Sequence, residues 1–198
     1  MASSEEATAL ARLRERAGAF TASDCAEAAS NGHLECLKYV RENGCPWDQW
    51  TCYHAASNGH LECLKYAHEH GCPWHEDTCH DAAYQGHLEC LKYAHEHGCP
   101  WNEETCKNAA EKGHLECLKY AREHRCPWDK DECIDAALAY GNTACLTYMR
   151  TLKDAVESKL DDAMSALDEI ARDIPEGAYV TICAALKLSH DEHKKRKR

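Results

Sequence analysis

Phenylalanine is almost absent: the 198 residues contain one. The hydrophobic content of 44% is carried largely by Ala, Leu and Cys. A β-sandwich would draw on Val, Ile and aromatic residues to cover its pleated faces, so this composition favours small, closely packed helices. No apolar run approaches the roughly 20 residues that a membrane-spanning helix needs, and no membrane segment is expected. Residues 1–20 hold Glu5, Glu6, Arg12, Arg14, Glu15 and Arg16 and no apolar run. No secretory signal is therefore expected, and the expected location is cytoplasmic or nuclear. Short Cys-x-x-Cys knuckles are also missing. In a reducing compartment the fifteen cysteines read mainly as thiols, and their odd number argues against a fully paired disulfide framework.

The formal charge is −11. The five residues Lys194–Arg198 are all basic, which leaves 18 basic against 34 acidic residues in the rest. An acidic body repels phosphate backbones, so nucleic acid is not the expected partner of this region. A basic or apolar protein surface fits better.

What the chain does contain is internal repetition, at a period of 27 residues. Cys25, Cys52, Cys79, Cys106 and Cys133 keep that spacing, as do Gly32, Gly59, Gly86 and Gly113, and the Cys-Pro-Trp triplets starting at Cys45, Cys72, Cys99 and Cys126. A fifth unit is imperfect, with Gly141 and Cys145 one residue late and no Pro-Trp after them. Each unit reads as two helices. In the second unit the first helix is expected over residues 49–58, capped by Asp48 and ended by Gly59. The second is expected over 60–70, stopped by Gly71 and Pro73. In the fifth unit Asp129 and Glu132 have the spacing of a capping box.

On a helical wheel, Cys36, Leu37 and Val40, with Leu34 and Tyr39, spread over a broad arc that predicts burial against a partner helix and neighbouring units. Cys52, Ala55 and Ala56 share one narrow face whose small side chains allow close helix approach. One such unit cannot bury both faces, whereas a stack can.

The string Asn31-Gly32-His33-Leu34-Glu35-Cys36-Leu37-Lys38, preceded by Ala28-Ala29, resembles the second helix of an ankyrin repeat. The likeness recurs in phase at His60, His87 and His114 and covers about residues 21–150. Ankyrin repeats usually have a period of about 33. Here Cys-Pro-Trp is nearly the whole linker, and Thr51-Cys52-Tyr53-His54 is only a loose echo of Thr-Pro-Leu-His. The resemblance thus implies an all-α solenoid of about five ankyrin-like helix-turn-helix repeats, without projecting β-hairpins. It implies recognition of another protein rather than catalysis, and no cofactor.

The expected organisation is a capping helix over 1–20, a solenoid over 21–152, a helical hairpin over 153–190 and a basic tail over 191–198. The hairpin rests on the stripe Val156, Leu160, Met164, Leu167 and Ile170, the break at Ile174-Pro175-Glu176-Gly177, and a further helix marked by Tyr179, Ile182, Cys183 and Leu186. It reads as an end cap, or else as a separate docking module. Lys194, Lys195, Arg196, Lys197 and Arg198 resemble a monopartite nuclear-import signal. An anion-binding tail and a solubilising end are the other readings.

Comparing units separates scaffold from variable positions. The variable ones sit on the first helices, opposite the Cys-Ala-Ala face: Tyr53, His54 and Ser57, then His80, Asp81 and Tyr84, then Lys107, Asn108 and Glu111, then Ile134, Asp135 and Leu138. Stacking at about 10 Å per unit lines them into a strip suited to a partner. Drift on a solvated face is the bland alternative. Trp50 has no counterpart in other units and joins the strip as a contact candidate.

Cys52, His60, Cys63 and Cys72 supply enough zinc-type ligands per unit for a zinc-binding structural Cys/His repeat protein to stand as the alternative function. Their spacing is long, however, and buried Cys is also a good small hydrophobe. Cys52 with His54 would be a nucleophile pair, but the Cys repeats and the His does not, so no catalytic residue is assigned. His68, His70, His95, His97 and His124 lie near second-helix ends, where they either complement the helix dipole and respond to pH or are simply solvated. Trp47, Trp74, Trp101 and Trp128 are expected to pack between units, each worth about 2–3 kcal/mol. An exposed aromatic ladder is their alternative.

Overall fold

The structure is a computed structural model that describes residues 4–16 and 19–152. The expected hairpin over 153–190, the tail over 191–198 and Cys183 lie outside the described residues. Ten helices precede residue 140: α1 (Ser4–Glu15), α2 (Ala22–Ser30), α3 (Leu34–Glu42), α4 (Gln49–Ser57), α5 (Leu61–Glu69), α6 (Thr78–Gln85), α7 (Leu88–Glu96), α8 (Glu103–Lys112), α9 (Leu115–Glu123) and α10 (Lys130–Ala139). Another helix starts at residue 143. The described residues contain no strand, and none of their helices is long and apolar enough to cross a membrane.

Local chemistry sets the helix boundaries. The Asp48 side chain accepts the Trp50 N–H, as Asn102 accepts that of Glu104 and Asp129 those of Asp131 and Glu132. Each bond satisfies a donor that the helix itself leaves open. The second helices begin differently. The His60 side chain makes no capping bond to its own helix; its Nε2 instead lies 3.0 Å from the Ser30 carbonyl oxygen of the preceding unit. In the imperfect fifth unit Asn142 takes this place, donating to the Ala110 and Glu111 carbonyls at 3.0 and 2.6 Å.

The first helices α2, α4, α6, α8 and α10 form one layer, and α3, α5, α7 and α9 form the other. Successive first helices approach most closely, because Cys and Ala pairs face one another there: Cys52, Ala55, Ala56, Cys79, Ala82 and Ala83 are fully buried. Leu37, Leu64, Leu91 and Leu118 fill the space between layers. At the N-terminal end α1 lies against α3, where the Glu6 carboxylate accepts the Glu35 N–H at 2.8 Å.

Every described cysteine is buried. Cys25 and Cys45 are joined to each other, and the other twelve described cysteines are free. Burial pushes the Cys63 and Cys90 thiols up to about 12 and Cys117 to about 11. Linker thiols also serve as donors, with Cys72 Sγ 3.1 Å from the Asp48 carbonyl oxygen and Cys126 Sγ 3.2 Å from that of Asn102.

The linker tryptophans are half-buried, so they contribute less than full burial would. Trp47 and Trp74 donate to the His70 and His97 carbonyls of the next unit, both at 3.0 Å. The nearby histidines are not simply solvated. His68 stacks on Trp74 and His95 on Trp101, with ring centroids 4.4 and 3.6 Å apart. Arg41 and Arg122 occupy the equivalent places over Trp47 and Trp128. Desolvation, followed by a neighbouring histidine, lowers the pKa of His68 and of His95; His87 is lowered mainly by burial too. A histidine that folds with a depressed pKa favours the neutral form, so its contribution is intact above the unfolded value of about 6.5 and drains away as pH falls through it. The thermal midpoint is therefore expected to fall between pH 7 and pH 5. The double change His68→Gln, His95→Gln should flatten that slope, and an equally steep profile in that variant would refute the assignment.

Candidate functional site: a strip along the first helices

Tyr53, His54, Ser57, His80, Asp81, Tyr84, Lys107, Asn108, Glu111 and Ile134 are half-buried, whereas Asp135 and Leu138 are exposed. They do not stand free of the packed layer as the helical wheel suggests. Close approach of the first helices makes side chains of adjacent units cover one another. The Tyr53 hydroxyl donates to the Asp81 carboxylate, and burial followed by that bond pushes Tyr53 up to about 12. Lys107 Nζ lies 3.3 Å from Glu104 and 3.4 Å from Glu132. Lys112 Nζ sits 4.5 Å from the Tyr84 ring centroid and 4.9 Å from that of Tyr140.

The structure thus gathers the strip into two groups. At the N-terminal ends of α4 and α6, Trp50 meets Tyr53 and His75, with ring centroids 5.3 and 4.5 Å away. Asp77, His80 and Asp81 adjoin them. At the C-terminal ends of α6, α8 and α10, Tyr84, Lys112 and Tyr140 form the second group. Trp50 is 43% exposed and Tyr140 59%, so each group has an aromatic that a partner can reach. The Ser57 Oγ lies 3.5 Å from the His54 carbonyl and accepts from the Asn58 side-chain amide at 3.4 Å.

The family profile described as ankyrin repeats, in three copies, matches residues 25–105. Over residues 25–105, about two-fifths of its length, the chain is similar to ankyrin repeats. Among solved structures, the human ASB11 ankyrin repeat domain superposes with a TM-score of 0.57 at 20% identity, covering 65% of this chain and 68% of that one. No curated protein matches the chain.

Comparison between units does not mark His75, Asp77, Lys112 and Tyr140, which the structure brings to the strip. His75 carried a readable signal: it replaces the capping Thr, Asp or Asn of the other units. Lys112 and Tyr140 had none, because their position on the strip depends on how α8 and α10 lie together. No three His, Cys, Asp or Glu side chains among the described residues are grouped so as to hold a metal ion. The histidine proposed alongside Cys52, Cys63 and Cys72 as a zinc-type set is His60, whose ring contacts the preceding unit instead. Cys52 lies buried with its thiol directed to Cys72, so the pair with His54 considered from the sequence does not form.

Proposed function

We propose that this chain is a non-enzymatic scaffold or adaptor whose first-helix strip binds another protein. The reading rests chiefly on two exposed aromatic groups lying on one continuous layer whose backbone is held by buried scaffold residues. Ankyrin repeats are in general protein–protein interaction modules. An aromatic fixed by its neighbours loses little freedom when a partner covers it, which is why such residues dominate interface energetics.

The test uses the intact chain. A protein recovered with it would be titrated against Tyr84→Ala, Lys107→Glu and, as a control on the other layer, Lys65→Glu. The first two are expected to weaken binding by about tenfold or more, equivalent to roughly 1.4 kcal/mol, with helicity unchanged and the control at full affinity. Full affinity in both strip variants, or loss only in Lys65→Glu, would place the interface elsewhere.

A further inference from the structure

Two neighbouring units depart from the repeat pattern at one corner, and the departing side chains touch. At the capping position the units carry Thr21, Asp48, His75, Asn102 and Asp129; two residues later they carry Ser23, Trp50, Asp77, Glu104 and Asp131. His75 is the one residue of the first set that is not Thr, Asp or Asn, and Trp50 the one aromatic in a second set that is otherwise serine or acidic. Both exceptions give up something local. A carboxylate or amide is a better cap than imidazole, and an acidic residue in the first turn is favoured by the helix dipole, where tryptophan is not.

His75 compensates in part: its Nδ1 accepts the Asp77 N–H at 3.0 Å, standing in for the missing oxygen. Even so, α6 starts at Thr78, two residues later than the corresponding start of α4. The ring then lies at 8% exposure beneath Trp50, 4.5 Å away, with Tyr53 5.3 Å off. Locally unfavourable choices that meet in space at an exposed aromatic are the signature of a contact site rather than of scaffold.

The charge around this corner has one sign. Asp48, Asp77 and Asp81 adjoin it, while residues 42–64 and 66–91 contain no Lys or Arg at all. The strip lysines farther along are already engaged, Lys107 by two glutamates and Lys112 by Glu111 and tyrosine rings. An exposed indole beside carboxylates whose neighbours are histidine, tyrosine and a backbone N–H, and not Lys or Arg, suits a planar cation, which stacks on the ring while its N–H groups reach oxygen.

We infer that the corner formed by Trp50, Tyr53, His75 and Asp77 receives an arginine side chain from a partner protein segment. This rests on the strip being the interface and names what its N-terminal group recognises.

The probe is a capped hexa-arginine peptide titrated into the full chain by calorimetry, with hexa-lysine and hexa-glutamate alongside. The variants are Trp50→Asp and His75→Asp, which install residues that other units carry at those places. Each adds a carboxylate, so plain charge attraction would tighten hexa-arginine binding, whereas loss of the aromatic platform loosens it. The expected result is at least tenfold weakening in both variants, hexa-arginine ahead of hexa-lysine, and no binding of hexa-glutamate. His75→Asp restores a strong cap and should melt no lower than the parent, which separates lost binding from lost folding. Unchanged or tighter binding in the two variants would overturn the inference. If the recovered partner still loses affinity with Tyr84→Ala while hexa-arginine ignores the corner, the arginine assignment alone falls. If neither the partner nor the peptide responds to any strip variant, the strip reading falls with it.

Discussion

Replacing Leu91 by Ala should destabilise the protein by about 2–5 kcal/mol, measured by urea or thermal unfolding. Leu91 lies in α7 with no exposed surface, between the two layers of the third unit. Its removal forfeits the transfer energy of the isobutyl group and leaves a cavity. The surrounding Ala and Cys side chains are too short to fill that cavity by rearranging. The position is central in a stack in which each unit leans only on its neighbours. The loss should therefore also weaken the coupling between the units on either side and broaden the transition. An unfolding midpoint equal to that of the parent chain would contradict this burial.

Gly86→Ala and Gly98→Ala should differ in cost, although both glycines have left-handed backbone, at φ +80° and +82°. A Cβ at Gly98 meets nothing within 4 Å, whereas one at Gly86 would lie 2.5 Å from Nδ1 of the His114 ring. Gly98→Ala then carries only the conformational penalty, about 1–2 kcal/mol. Position 125, which corresponds to Gly98 one unit later, shows that the penalty is tolerated: Arg125 sits there at φ +61°. Gly86→Ala adds the displacement of an imidazole that bridges two units, for about 1–3 kcal/mol more. Adding His114→Ala to Gly86→Ala should relieve the steric part, so that the double variant costs less than the sum of the two single ones. Equal losses for Gly86→Ala and Gly98→Ala would mean that the ring yields freely and does not act as a link between repeats.

The extent of each helix could be read from sequence because its causes are short-range. Asp48 caps a helix only a few residues away, and Pro73 halts one immediately before it. The strip was legible as a set of positions, since variation against a constant scaffold marks it, but its exposure was not. A helical wheel treats each helix alone, and it shows Tyr53 pointing away from Cys52 and Ala55. It cannot show that α6 comes close enough for Asp81 to accept the Tyr53 hydroxyl. The histidines show the same limit: His68 reads as a polar helix end until the Cys-Pro-Trp turn folds Trp74 beneath it.

By itself the sequence determined that the chain repeats, that each unit is a helix pair, and which small and branched side chains are hidden. Periodicity, caps and turn residues act within a few positions along the chain, so one unit suffices to express them. Only the tertiary structure decided which side chains meet between units: Trp50 with His75, Lys107 with Glu132, and Lys112 between Tyr84 and Tyr140. Those encounters depend on how far apart neighbouring first helices stand and how they are turned. Both are set jointly by the Cys and Ala contacts of two units, and no single unit contains them.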